Sequence, residues 1–252
     1  MIRVFLIAVW AVLAFFSVPA VAGQTVRVGG YEFPPFVEAD ETGVTAALIA
    51  RLNDVQTQYR FQFVPTSARR RYAELGEGRF DVMFFESPDW EWTERKVPVH
   101  FTDVFLSGGE LFVALAQPGR GQDFFRQLKG RHIAGIQGYH YGFAGFDADP
   151  DRLARDWGMK LVKSPKSSLD MVLAGRVDLA VVTDSYLWGY LSANPDAKGK
   201  LLVSDHFDQR YSHRVLVRDG GPIGVGDMNR LMADLKRSGA LDAVWAETGI
   251  SR

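Results

Sequence analysis

The chain has 252 residues, 47% of them hydrophobic and 23% charged, and it contains no cysteine. This composition is typical of a folded globular protein, and the lack of cysteine excludes disulfides, thiol catalysis and lipid attachment at a cysteine. Lys and Arg number 29 against 30 Asp and Glu, which gives a net charge of −1 and argues against nucleic acid as a partner.

The first 22 residues differ from the rest of the chain. Arg3 precedes an uncharged apolar run from Val4 to Val18, and Pro19-Ala-Val-Ala22 follows. This pattern predicts a secretory signal peptide over residues 1–22, cleaved after Ala22, and therefore a periplasmic mature protein. The alternative is an uncleaved anchor, because the uncharged stretch is close to the ~20 residues of a membrane span, but Pro19 and the small residues after it favour cleavage.

Residues 25–85 predict a first set of alternating strands and helices. Tyr31–Phe36 contains two prolines, which favour an extended, non-helical path. The hydrophobic periodicity predicts three strands and two helices. The strands are Thr25–Gly30, Arg60–Val64 and Phe80–Phe85, and the helices are Thr45–Val55 and Arg69–Gly76.

The same order of elements recurs further along the chain. We predict strands at Arg131–Ile136, Lys160–Lys163 and Val177–Val182, with helices at Pro150–Gly158 and Ser167–Ala174. Ser167 or Ser168 is the expected cap of the second helix. An amphipathic helix around Met228–Leu235 ends at Gly239, and a shorter helix follows through Trp245.

One short motif occurs in both sets. Gly78-Arg-Phe-Asp81 and Gly175-Arg-Val-Asp178 each precede an apolar run. Gly suits the left-handed residue that ends a helix, and the apolar run suits a buried strand of a parallel sheet. The repeat therefore predicts two similar α/β lobes with the site of function between them.

Two further strand-like segments connect the predicted lobes. Gly109–Leu115 is expected to carry the chain into the second lobe, and Arg214–Arg218 to carry it back. We therefore expect residues 23–108 and 215–252 to form the first lobe, and residues 109–214 to form the second.

A set of motifs in fixed order gives the chain a specific resemblance. The motifs are Phe33-Pro-Pro-Phe36, Gly78-Arg-Phe-Asp81, Glu94-Arg95-x4-His-Phe101-Thr-Asp103, Leu128-Lys-Gly130, Val181-Val-Thr-Asp184 and Leu235-Lys-Arg-Ser-Gly239. In this order they resemble the family 3 solute-binding proteins, the amino-acid-type periplasmic receptors of ABC importers. The resemblance covers essentially the whole mature chain.

The resemblance implies both a fold and a function. The fold is the type II periplasmic-binding-protein fold, in which two α/β lobes, each with a mostly parallel sheet, are joined by two crossing strands and close over a ligand. The function is capture of a small polar, carboxylate-bearing ligand, an amino acid or a related compound, for the membrane permease of an ABC importer. We expect a monomer that carries no cofactor and no metal.

The resemblance also assigns site residues. Arg95 matches the arginine that holds a ligand carboxylate, and Asp184 matches the acid that pairs with a ligand ammonium. Phe33 matches an aromatic residue that packs on the ligand. The loop of Gly138, Tyr139 and His140 matches the one whose backbone amides meet the carboxylate. The alternatives are that Arg95 is a solvated charge, Asp184 a helix cap and Phe33 a core residue.

Two segments depart from the family pattern. Arg69-Arg70-Arg71 stands near the position of an aromatic lid; a basic triplet is ordinarily a solvated helix face, but Arg70 is our choice if one arginine points into the cleft. The segment from Glu86 to Trp92 replaces a loop of small residues. Its Trp90 and Trp92 either line the pocket or cover the edge of the lobe, and Glu86 is included as a candidate ligand contact.

Two other functions remain open on the sequence alone. The first is a periplasmic enzyme similar to the cyclohexadienyl dehydratases on the same scaffold, which would need an acid or base in the cleft; Glu86, Asp184 and His140 are available. The second is a receptor that presents its ligand to a membrane sensor. The absence of phosphate-loop and dinucleotide motifs leaves nucleotide chemistry unsupported.

Overall fold

The computed structural model describes residues 23–250, and the predicted signal peptide lies outside them. Within this part of the chain, no helix is long and apolar enough to cross a membrane. The described residues form nine strands: β1 Gln24–Gly30, β2 Tyr59–Pro65, β3 Val82–Glu86, β4 Val99–Phe101, β5 Leu106–Leu115, β6 Ile133–Ile136, β7 Met159–Val162, β8 Leu179–Thr183 and β9 Leu201–Arg218.

The α-helices of residues 23–250 pack on the sheet through apolar stripes such as Met228, Leu231, Met232 and Leu235, which are all buried. Their bounds are α1 Val44–Val55, α2 Arg71–Gly76, α3 Pro150–Trp157, α4 Pro165–Leu173, α5 Asp184–Ala193, α6 Pro195–Lys198, α7 Val225–Arg237 and α8 Ala240–Thr248. Every predicted strand and helix is thus present, with ends shifted by a few residues.

All nine strands belong to one sheet, ordered β2-β1-β3-β9-β5-β8-β6-β7, with β4 beside β9. We call the part with β1–β4, α1, α2, α7 and α8 the first lobe, and the part with β5–β8 and α3–α6 the second lobe. Within the lobes, β1 is parallel to β2 and β3, and β6 is parallel to β7 and β8. The predicted mixed α/β class with mostly parallel pairing in each lobe is confirmed.

The 18-residue strand β9 belongs to both lobes. Its first part runs antiparallel to β5, and its last residues run antiparallel to β3 and β4. The register with β5 shifts next to Glu110, which lies opposite Gln209, whereas Leu111 lies opposite Phe207. Asp208 is the extra residue of this bulge, and its carboxylate accepts hydrogen bonds from the backbone N–H groups of residues 142 and 143.

The repeated motif has the same left-handed glycine and the same aspartate-to-backbone bond in both lobes. Gly78 and Gly175 have positive φ values of 73° and 66°, which glycine adopts without steric cost. Asp81 Oδ2 accepts the backbone N–H of Arg27 at 3.0 Å, and Asp178 Oδ2 accepts that of His132 at 2.7 Å. Each copy therefore ends a helix with its glycine and fixes the neighbouring strand with its aspartate.

Two local predictions need correction. The segment from Tyr31 to Phe36 is not extended but turns back, because the Phe33 carbonyl accepts the N–H groups of Phe36 and Val37 at 2.8 and 3.1 Å. The cap of α4 is Ser164, whose Oγ accepts the N–H of Ser167, rather than Ser167 or Ser168. Pro165 is tolerated at the first position of this helix, where no N–H is needed, so the helix begins earlier than predicted.

Candidate functional site

Three adjoining cavities of about 220, 10 and 260 Å³ form a row between the lobes, and a more open one of about 780 Å³ shares Glu91, Arg95 and Arg152 with the first of them. We call the three in the row the outer, middle and inner cavities. His140 lines both the outer and the middle cavity, and Tyr211 lines both the middle and the inner cavity. Another cavity of about 450 Å³ lies elsewhere, between residues 103–107 and helices α7 and α8.

Arg95 lies at the outer cavity. Its side chain is 49% exposed, its guanidinium lies 4.3 Å above the Tyr72 ring, and Nη2 is 2.6 Å from Glu91 Oε2. Arg69 and Arg152 line the same cavity, together with the acids Glu91 and Asp149, and the guanidinium of Arg152 is paired with Asp147. This placement is compatible with binding of an anionic group, although the guanidinium of Arg95 is already paired with the Glu91 carboxylate.

The middle cavity is filled by aromatic rings. With room for about one water molecule, it is lined by Tyr31, Phe33, Trp90, Glu110, Tyr139, His140 and Tyr211. Phe33 contacts Tyr139 edge-to-face, with ring centroids 5.3 Å apart. Phe33 is therefore both a buried residue and a residue of the cleft, which are the two roles considered for it from the sequence.

Trp90 and Trp92 have different environments. Trp90 lies in the cleft, where it stacks on His140 with centroids 6.0 Å apart and donates its indole N–H to Gln209 Oε1 at 3.2 Å. Trp92 is fully buried in the first lobe and donates its indole N–H to Glu86 Oε2 at 2.8 Å. Of the two, only Trp90 lines one of the three cavities.

Glu86 is fully buried and lines none of the three cavities. Its Oε1 lies 3.4 Å from Nε of Arg71, which is also fully buried. Burial raises the pKa of Glu86, and Arg71 opposes this shift. The guanidinium of Arg71 lies over the rings of Tyr31 and Tyr72, at 4.8 and 4.5 Å from their centroids.

Arg70, the residue predicted to point into the cleft, does not do so, and the buried arginine of the triplet is Arg71, which lies inside the first lobe and lines none of the three cavities. Arg70 is 65% exposed and pairs with Glu74 on the helix surface. The physical reason is helix phase: α2 begins at Arg71, later than predicted, and Arg70 is the residue before its first turn. The other candidate from the triplet, Arg69, is exposed at the mouth of the outer cavity.

The loop of Gly138, Tyr139 and His140 brings the second lobe against the first. Gly138 has a φ of 84°, and a Cβ at this position would lie 3.0 Å from the Ala68 side chain, so only glycine allows this approach. Tyr139 donates its hydroxyl to the backbone carbonyl of Glu32 at 2.9 Å. The cleft is thus closed by direct contacts between the lobes.

His140 makes further polar contacts between this loop and the first lobe. Its Nε2 lies 3.3 Å from Tyr72 Oη and 3.8 Å from Glu91 Oε2, both in the first lobe. Burial lowers the pKa of His140, and Glu91 partly offsets this effect. Conversely, His140 and Arg95 beside it hold the pKa of Glu91 at about 2.

Asp184 lies at the inner cavity, with Ser185, Tyr211 and His213. It is the first residue of α5, where the cap is Thr183, and its Oδ1 accepts the N–H of Ser185 at 2.6 Å. Burial raises the pKa of Asp184. The structure therefore places Arg95 and Asp184 at opposite ends of the row of cavities, with aromatic rings between them.

The crossing strands supply further acids and rings that the sequence did not reveal. Glu110 of β5 lines the middle cavity and accepts a hydrogen bond from Gln209 Nε2 at 2.9 Å. Burial, reinforced by Asp208, raises the pKa of Glu110 to about 8. Gln209, Tyr211 and His213 alternate with exposed or half-buried residues along β9. That period of two was the signal that could have placed them on one face.

No family model matches this chain, and no curated protein matches it. Among solved structures, it is similar to a candidate binding component of an ABC transporter from Wolinella succinogenes in complex with lysine, with 17% identity and a TM-score of 0.70 over 90% of this chain and 97% of that one. It is also similar to the GluR0 ligand-binding core with L-glutamate (16%, TM-score 0.67, 90% and 97%) and to the solute receptor for L-cysteine of Neisseria gonorrhoeae (19%, TM-score 0.65, 89% and 89%).

These similarities confirm the predicted fold. The match to this chain covers 89–97% of each similar structure, and each is a two-lobed ligand-binding protein. The resemblance inferred from the ordered motifs is therefore correct at the level of the fold. Identities of 16–19% leave room for a different ligand, which agrees with the altered segments around Arg71 and Trp90.

Proposed function

We propose that this chain is a divergent family 3 solute-binding protein that captures a small, carboxylate-bearing ligand by closing two lobes and delivers it to an ABC importer. In this proposal the first lobe comprises residues 23–108 and 215–252, and the second lobe residues 109–214. Residues 1–22 direct the chain to the periplasm. The proteins of similar structure bind lysine, glutamate or cysteine, which supports an amino acid or a related compound.

The observation that carries the proposal is the charge arrangement along the cleft. Arg95 and Arg69 line the outer cavity, as does Arg152, whose guanidinium is paired with Asp147, and Asp184 lines the inner one. A ligand with a carboxylate at one end and a cation at the other would match both ends. Arg95 would exchange Glu91 for the ligand carboxylate, for which a guanidinium offers two parallel donors.

The aromatic residues of the middle cavity would act as the closing surface. Tyr31, Phe33 and Trp90 come from the first lobe, and Tyr139 comes from the second. A cavity that holds about one water molecule cannot hold an amino acid, so ligand entry requires the lobes to separate. Contacts to the ligand would then replace part of the ring contacts that now hold the cleft shut.

We infer binding rather than catalysis from the positions of the possible acids and bases. Glu86 is paired with Arg71 outside the cavities, and His140 and Asp184 line different cavities. A general acid and base must both reach the same substrate atoms, and these three side chains do not converge on one cavity. Glu110 and His140 do share the middle cavity, but that cavity has room for about one water molecule. Incubation of the purified protein with a prephenate-like acid should therefore give no turnover.

The test is a thermal-shift screen of residues 23–252 against amino acids, polyamines, dicarboxylates and aromatic acids. A ligand at 100 times its dissociation constant adds about 2.7 kcal/mol to the free energy of unfolding. Arg95→Ala should abolish the shift produced by the best carboxylate ligand. Arg126→Ala is the matched control, because Arg126 is 75% exposed and lines none of the three cavities. An unchanged shift in Arg95→Ala would contradict the carboxylate role.

A further inference from the structure

Glu91 places a carboxylate of the chain itself on the arginine that the proposed function assigns to the ligand. Its Oε2 accepts the Nε–H of Arg95 at 2.7 Å and lies 2.6 Å from Arg95 Nη2. These two nitrogens form the edge of the guanidinium that a carboxylate ordinarily binds. Glu91 also lines the outer cavity. A ligand carboxylate that approaches this edge of Arg95 must therefore displace Glu91.

The backbone keeps Glu91 beside this cavity. Its φ is 56°, in the left-handed region that residues other than glycine rarely adopt. The peptide groups on both sides are tied down, because the Glu91 carbonyl accepts the N–H of Arg95 at 2.9 Å and the Trp90 carbonyl accepts the hydroxyl of Tyr72 at 3.0 Å. Such a conformation persists only where surrounding contacts maintain it. A displaced Glu91 carboxylate would therefore stay close to the site.

Glu91 is also a permanent negative charge. His140 and Arg95 hold its pKa at about 2, so the carboxylate is ionised at physiological pH. Its side chain is only 21% exposed, so water screens this charge less than it screens that of a fully solvated residue.

The charges around the outer cavity are balanced only because Glu91 is present. Three arginines and three acids contribute: Arg69, Arg95, Arg152, Glu91 and Asp149, which line the cavity, and Asp147, which pairs with Arg152. Without the charge of Glu91, one positive charge would be in excess. The cavity as it stands therefore has no surplus of positive charge for a ligand that carries several negative charges.

We propose that Glu91 is a specificity-determining residue, which competes with the ligand for Arg95 and restricts the outer cavity to ligand ends with a single negative charge. This inference rests on the proposed function, because it concerns the same carboxylate site. One ligand carboxylate can replace Glu91 on the two donors of Arg95. A second negative charge on that end of the ligand would lie near the displaced Glu91 carboxylate and Asp149, and both would repel it.

A positioning role for Glu91 makes the opposite prediction. Ion pairs of residues four apart are common on protein surfaces, and Glu91 could simply orient the guanidinium of Arg95 for the ligand. Removal of the Glu91 carboxylate would then weaken carboxylate binding. Competition requires that the same removal strengthens it, so the sign of the change decides between the two roles.

The test uses acetate and malonate, which carry one and two carboxylates, as probes at neutral pH and constant ionic strength. The readout is the ¹H–¹⁵N NMR signal of Arg95 Nε in residues 23–252, assigned by its loss in Arg95→Ala. Glu91→Gln should bind acetate at least about threefold more tightly than the original protein and malonate at least about tenfold more tightly. Acetate binding that is unchanged or weaker in Glu91→Gln would overturn the inference.

Glu91→Asp separates competition from charge. It keeps the negative charge but shortens the side chain by one methylene, which withdraws the carboxylate from Arg95. Acetate binding should therefore strengthen as in Glu91→Gln, whereas malonate should remain the weaker probe. Glu247→Gln is the matched control, because Glu247 is a 63% exposed acid that pairs with Arg51 and lines none of the cavities described above. It should leave the binding of both probes unchanged, and an equal gain in this control would contradict a local role for Glu91.

The same titrations distinguish this inference from the proposed function. If acetate shifts the Arg95 signal of the original protein but binds no more tightly to Glu91→Gln, the carboxylate role of Arg95 stands and the competition falls. If acetate shifts the Arg95 signal in neither protein, the carboxylate role itself falls, and the competition falls with it.

Discussion

Arg71 and Glu86 form an ion pair inside the first lobe, with Arg71 Nε 3.4 Å from Glu86 Oε1 and neither side chain more than 1% exposed. Three polar atoms of the pair, Arg71 Nε, Arg71 Nη2 and Glu86 Oε1, make no hydrogen bond of ordinary geometry within the described residues. The remaining atoms are partnered, because Trp92 donates to Glu86 Oε2 and Arg71 Nη1 donates to the Ala68 carbonyl, and the guanidinium lies over the rings of Tyr31 and Tyr72. Each charge depends on the other to remain buried.

Replacing Arg71 alone should destabilise the protein strongly. Arg71→Met leaves Glu86 as an uncompensated buried acid, and the free energy of unfolding should fall by about 3–5 kcal/mol in urea denaturation. Arg70→Met is the matched control and should change it by at most about 0.5 kcal/mol, because Arg70 is exposed. The double variant Arg71→Met, Glu86→Leu should recover most of the loss. Similar losses in the Arg70 and Arg71 variants would refute the buried pairing.

Glu110 should make the folded protein less stable as the pH rises. Its pKa is raised to about 8, so the folded protein binds a proton that the unfolded chain releases near pH 4.5. The stabilisation is complete below about pH 4.5 and is lost as pH rises towards 8, with a slope of at most about 1.4 kcal/mol per unit. Melting temperatures from pH 5 to 8.5 should therefore fall more steeply for the original protein than for Glu110→Gln. Parallel curves would show that Glu110 does not titrate as a buried acid.

His140 should make the folded protein less stable as the pH falls. Because burial lowers its pKa, the unfolded chain takes up a proton near pH 6.5 that the folded protein refuses. Its contribution to stability is complete above about pH 6.5 and decreases as pH falls towards the folded pKa. From pH 7.5 to 5.5, His140→Gln should lose less stability than the original protein. His213 has the same sign, so only the double variant His140→Gln, His213→Phe should remove most of this dependence; an equal loss in all three proteins would contradict it.

The two tryptophans should respond differently to truncation. Trp92→Ala removes a fully buried ring and the N–H donor of Glu86, so the free energy of unfolding should fall by about 3–5 kcal/mol. Trp90→Ala should cost less, because the lobes can adjust around the cleft, but it should change the dissociation constant of the ligand found in the screen. Circular-dichroism melts and titration calorimetry measure the two effects. A larger ligand effect for Trp92 than for Trp90 would reverse our placement of these side chains.

The regular elements were predictable because their signals are local. Apolar spacing gave β3 and the helix containing Met228, and the glycines at residues 78, 175 and 239 marked helix ends that the structure shows with positive φ. The turn at Tyr31–Phe36 was not predictable in this way, because it depends on a hydrogen bond to the Phe33 carbonyl within the folded segment.

The composition of the cleft was only partly predictable. The resemblance placed Arg95 and Asp184 near the cleft, but it could not show that Glu91 pairs with Arg95 or that aromatic rings separate the two ends. Arg71 was missed because α2 begins two residues later than predicted, and the start of a short helix decides which side chain faces inward. Glu110 and His213 were missed because they lie on crossing strands, where burial depends on both lobes at once.

The repeated Gly–Asp motif separates the part of each lobe that must be kept from the part that can be exchanged. The Asp81 and Asp178 carboxylates bind backbone N–H groups, and Asp81 also binds the guanidinium groups of Arg27 and Arg218, none of which lines one of the three cavities. The segment directly after the first copy, residues 86–97, carries Trp90, Glu91 and Arg95. Transplanting that segment as a block, together with a residue that matches Arg71, is therefore a practical route to changing the ligand while keeping the sheet.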